Sequence, residues 1–136
     1  MKAFLAMTAL AALAGPVYAD CSYPPPPTKI PDGNTASMQE MLDAKKTVTQ
    51  YNKDINAYVA CIKLEHEAAM TNVKTKVGDK PTPEQKADMD RMEQMQIQKN
   101  NAAIDQLQSI ADRFNEQVRI YKTKHDPNAS DSKKKS

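Results

Sequence analysis

One break divides the chain. From Met38 to Val77 there is neither proline nor glycine, then comes Gly78-Asp79-Lys80-Pro81, and after Pro83 no further proline or glycine occurs as far as Lys124. Each uninterrupted stretch can hold a helix of about 40 residues, which would be about 60 Å long. On the first, Met41, Ala44, Val48, Tyr51, Ile55, Tyr58 and Ile62 alternate three and four apart, the spacing of one helix face meeting another. Beyond Ile62 the stripe drifts through His66, Ala69 and Val73, as it must on a straight helix. On the second stretch the matching seam is Ile97, Ile104, Leu107, Ala111, Phe114, Val118 and Tyr121, with Ala103 and Ile110 beside it. So short a connection forces the two helices to pack antiparallel, with the numbers of facing residues summing to about 159.

The ends are marked as clearly as the break. Ser37 followed by Glu40 is a capping box, and Thr82-Pro83 followed by Gln85 is a second, with Pro83 in the first helical position. Gly78 is placed to close the first helix. The fold class this predicts is all-α: a long, coiled-coil-like antiparallel two-helix hairpin over residues 37–124.

Ahead of the hairpin, residues 20–36 form an arm. Pro24-Pro25-Pro26-Pro27 removes four backbone donors in a row and holds an extended polyproline II path. Asp32-Gly33 is a turn signal that ends it. Ahead of the arm, Met1-Lys2 leads into an apolar run from Ala3 to Ala14 and then Gly15-Pro16-Val17-Tyr18-Ala19, with small Ala19 at the cleavage point, the layout of a cleavable export signal. Such a run is too short to cross a bilayer as a helix. Cleavage is expected near Ala19, making residues 1–19 a signal peptide and the protein periplasmic or secreted. Asp20 stands where a lipid-attached Cys21 would need a small neighbour, so a free protein is expected. Residues 125–136, ending in Lys133-Lys134-Lys135-Ser136, read as a disordered basic tail, and the Asn128-Ala129-Ser130 acceptor pattern within it as coincidence.

Composition narrows the function classes. Once Lys2 leaves with the signal, the 19 basic side chains become 18 against 17 acidic ones, which gives no electrostatic case for nucleic acid. Tryptophan is absent and glycine occurs three times, which suits half-buried helices better than a compact β-fold. No transmembrane segment is expected after signal removal.

Cys21 and Cys61 are the two cysteines, and in an exported chain a pair of this kind reads as a disulfide. An extended arm reaches about 47 Å, whereas the helix from Ser37 to Cys61 covers about 36 Å. The arm can therefore fold back along the first helix and bring Cys21 to Cys61. In the chain-entropy description a loop of that size contributes about 4 kcal/mol. A redox-active dithiol would favour a short C-x-x-C loop, which is absent.

Taken together, Cys21, Pro24-Pro25, Ile30-Pro31-Asp32-Gly33, Ala36, Glu40-Met41, Val48, Tyr51, Tyr58 and Cys61 resemble a pattern in small uncharacterised secreted proteins of Gram-negative bacteria. These carry a Cys- and Pro-rich arm, an I-P-D-G turn and a helix with Y-x-x-C. The resemblance runs from about Cys21 to Glu65. It implies a bacterial envelope location and the Cys21–Cys61 pairing, and no activity.

No catalytic constellation appears. His66 and His125 are the only histidines, and neither a G-x-S-x-G nor an H-E-x-x-H motif nor a phosphate-cradling glycine loop is present. The chain is expected to be no enzyme and to need no cofactor. One group of residues suggests a ligand: His66 and Met70 are four apart, and Met89, Met92 and Met95 recur every three. Across the hairpin, His66, Met70, Met89 and Met92 could converge as soft donors for Cu(I) or Ag(I). Methionine is equally an ordinary filler of helical seams. The broader expectation is a non-enzymatic envelope protein acting through helix-surface contacts with a protein partner or itself. The first helix has more apolar width than one neighbour needs, because Tyr58 and Val59 cannot share the centre of one seam. Either a partner or the arm, anchored by Tyr23 and Ile30, would cover the surplus.

Overall fold

The computed structural model describes residues 21–125. The expected signal peptide and the tail from Asp126 lie outside the described residues.

Two helices, α1 (Met38–Val77) and α2 (Pro83–His125), pack against each other as an antiparallel hairpin. Both capping boxes form. Ser37 Oγ accepts from the Glu40 amide at 3.2 Å while the Glu40 carboxylate accepts from the Ser37 amide at 2.8 Å. Thr82 and Gln85 repeat the exchange at 3.2 and 2.8 Å. Gly78 closes α1 with a φ of 70°, where an L side chain is strained, and its amide donates to Lys74 O at 2.9 Å. The register is the expected one: His66 meets Glu93 across the hairpin at 2.9 Å.

The arm makes the third layer. Cys21 is disulfide-bonded to Cys61, with Cα atoms 5.8 Å apart, and its amide donates to Glu65 Oε1 at 3.1 Å. Tyr23 meets the Tyr58 ring edge-on at 5.0 Å. Ile30 reaches both apolar clusters of the core. A tight turn follows: Asp32 O accepts from Thr35 and Ala36, and Asp32 Oδ1 accepts from the Asn34 amide at 2.9 Å. The Asn34 backbone bond holds the Asp32 carboxyl below its ordinary range.

The core follows the arm. One cluster joins Ala36, Met41, Ala44 and Phe114, and the other joins Tyr51, Ile55, Ala103 and Ile110. Between Lys63 and Ala102 no residue is fully buried. Two helices alone shield only a thin seam, so the turn half of the hairpin is a half-buried ladder. The arm half has a true interior.

On α1 the expected seam is the observed one. On α2 it holds from Leu107 to Tyr121, where Phe114 is buried and Val118 and Tyr121 pack beside it, and it departs at Ile97 and Ile104. Ala103 and Ile110 are buried, and Leu107 is half-buried. Ile97 and Ile104, placed in the seam by periodicity, are instead 42% and 38% exposed. Each lies one position beyond a better-buried neighbour, Gln96 and Ala103, and on the opposite flank of α2 Ile30 shares a cleft with Arg113 and Gln117. Small Ala103 then lies in the same buried cluster as Ile55, which is fully enclosed.

Candidate functional site

Three features offer something beyond packing. The first lies under the arm. Tyr51 is 3% exposed, and its hydroxyl is enclosed without a hydrogen-bond partner among the described residues. Burial pushes its pKa up to about 12, with the Tyr23 phenol adding to the rise. Tyr23 is thus near enough to be felt electrostatically, but it does not reach hydrogen-bonding geometry. Tyr51 lines a shallow groove with Pro25, Pro27, Thr47, Gln50 and Asp54.

The second feature centres on His66. Its imidazole is 15% exposed and bonded to Glu93, and it forms part of the wall of clefts on both sides of the hairpin. On the arm side the cleft includes Glu65, Met92, Met95 and Lys99. On the other side it includes Met70, Thr71, Lys74 and Glu93. The proposed donor set is therefore distributed. Met92 shares a cleft with His66, Met70 shares a different one, and Met89 is half-buried and lines neither. Met95 takes the place beside Met92. Its signal was the three-residue spacing, which puts both on one face of α2.

Cys21, Cys61 and Glu65 also hold their donor atoms within 4.8 Å of one another. The two sulfurs are bonded to each other there, so the group is a disulfide with a neighbouring carboxylate that accepts from the Cys21 amide.

The third feature is the face of α2 carrying Ile97 and Ile104. At 100° per residue it lies about half a turn from Arg113 and Gln117, which meet the arm. Val59, Lys63 and Ile97 line a cleft there, with Asn100 and Asn101 at its edge and no arm residue in it. The arm therefore covers one side of the hairpin, and this side has no cover from within the described chain. Among the described residues no helix is long and apolar enough to cross a membrane.

Comparison with protein-family models, with curated proteins and with solved structures gives no match.

Proposed function

We propose that the protein is a non-enzymatic, exported binding protein of the bacterial envelope. It works by presenting one face of its hairpin to another surface, on a partner protein or on a second copy. The observation that carries this reading is the pair Ile97 and Ile104, both exposed, seven residues apart on one face of α2, with Ile97 beside Val59 in a cleft that holds no arm residue. Polar side chains line the same cleft: Lys63, Glu67, Glu93, Gln96, Asn100 and Asn101. An aliphatic centre within a polar rim is how a protein contact surface is commonly arranged. The disulfide suits an oxidising compartment, and the signal-like leader supports export.

The test combines light scattering of the purified protein over a wide concentration range with crosslinked capture from an envelope extract. The double variant Ile97→Asp/Ile104→Asp should abolish self-association or capture of a defined partner while leaving helix content unchanged. A strictly monomeric protein whose captured set is the same for wild type and variant would refute the reading.

A further inference from the structure

The imidazole of His66 is tied across the hairpin to α2. Its Nε2 stands 2.9 Å from Glu93 Oε2. A carboxylate can only accept, so Nε2 carries the proton and the lone pair of the neutral ring lies on Nδ1. A carboxylate on one ring nitrogen is the outer-shell contact that orients a histidine whose other nitrogen binds a metal. The ring is largely enclosed, so its placement is set by packing as well as by Glu93.

On the arm side of that ring lies a cleft of about 170 Å³, walled by His66 together with Met92 and Met95. Glu93 belongs to the clefts on the opposite side. The carboxylate and the two thioethers thus flank the imidazole from different directions. Glu65 and Lys99, also in the wall, carry opposite charges that offset each other. Besides the Gln96 amide, the wall then offers one borderline imidazole and two soft thioethers, all neutral.

We propose that His66 Nδ1 and the sulfurs of Met92 and Met95 bind one soft monovalent cation, Cu(I) or Ag(I). The two thioethers select such ions and the imidazole accepts copper, while hard divalent cations call for carboxylate and carbonyl oxygen. The methionines need only rotate about their own side-chain bonds to converge, since each is unbranched and flexible. Met95 is 51% exposed, so it swings over the cleft without leaving a void, and the ion enters directly from solvent. The site uses neither Ile97 nor Ile104, so it stands or falls separately from the contact surface proposed above.

The experiment is an Ag(I) titration of the full chain with its disulfide intact, followed by NMR of isotope-labelled methionine methyls. Silver is the right probe because it needs no reductant, and a reductant would free Cys21 and Cys61 to compete. The methyls of Met92 and Met95 and the ring of His66 should shift together and saturate at one equivalent. Met70, Met89 and His125, which stacks on Tyr121 at the far end, should stay in place. Met92→Leu/Met95→Leu keeps side-chain volume and should weaken binding at least tenfold. Met70→Leu/Met89→Leu should leave it unchanged. Glu93→Gln should weaken it about tenfold at the same stoichiometry, as loss of an outer-shell partner does. Shifts that follow exposure across all methionines, no saturation at one equivalent, or equal affinity in the two methionine double variants would overturn the proposal.

Discussion

The Gly33 amide donates to Gln117 Oε1 at 2.8 Å, and nothing larger than glycine fits where that bond is made. A Cβ on Gly33 would collide with the Gln117 carbonyl oxygen and lie 2.8 Å from the Tyr121 amide nitrogen. Both obstacles are backbone, so no side chain can rotate away. This contact, with the Lys124 ammonium donating to Asn34 O, docks the turn of the arm on the last turns of α2. The arm is held at both ends: covalently at Cys21, and by close backbone approach at Gly33.

Gly33→Ala should therefore lift the turn from α2 and cost about 2 kcal/mol, as forced overpacking does. Gln117→Ala, which removes only the side-chain acceptor, should cost about 1 kcal/mol. Gly78→Ala meets no atom within 4 Å, so its cost is backbone strain alone, at φ 70° and ψ −162° about 2 kcal/mol. Urea denaturation of the three variants checks the order.

Breaking the other anchor separates arm from hairpin. Cys61→Ala should lower stability by about 4 kcal/mol in the loop-entropy description. Helix content should change little, because both capping boxes and the α1–α2 packing remain. Circular dichroism of the folded variant and its melting curve measure the two quantities independently. Loss of most helical signal at low temperature would show that the hairpin depends on its arm.

The seam of α2 passes through Ala103 and not Ile104, and a sharper prediction rests on that. Ile55→Asp buries a charge with no partner and should cost about 3–5 kcal/mol. Ile104→Asp, on the uncovered face, should cost about 1 kcal/mol or less. Equal losses from the two would place Ile104 back between the helices.

Ile97 and Ile104 mark where periodicity stops deciding. The break at Gly78, both capping boxes and the α1 stripe are local signals, each decided within one or two turns of chain. The register followed from them, because a short connection leaves the helices one antiparallel alignment. Which of two adjacent apolar residues faces α1, Ala103 or Ile104, is a different matter. Spacing allows either, and the smaller Ala103 is the one clustered with Ile55. The contacts of Ile30 and Gly33 with α2 join residues more than 80 positions apart, which no periodicity within α2 encodes. Of the candidate metal donors, His66 and Met92 share a cleft that Met95 also lines, while Met70 lines a cleft on the other side, a distribution set by side-chain packing that spacing alone does not give.

Tyr51 supplies the last prediction. Its hydroxyl is buried without a partner under the arm, which leaves a desolvated polar group uncompensated. Tyr51→Phe removes that group and keeps the ring, so the variant should be as stable as the wild type or more so. A Tyr51→Ala variant, which loses the ring from the cluster with Ile55 and Ile110, should be destabilised by about 3–5 kcal/mol, the range for deleting a large buried side chain. The phenol also ties stability to alkaline pH. Its folded pKa is raised to about 12, mainly by burial, above the ordinary value near 10. The folded state therefore favours the protonated phenol. That preference is fully present below about pH 10 and is lost as pH rises through about 12, because the unfolded chain ionises first. Wild type should lose stability across that window more steeply than Tyr51→Phe, with phenolate absorbance reporting the late-ionising group. Parallel stability curves for the two proteins between pH 10 and 12 would mean that the Tyr51 hydroxyl already reaches water.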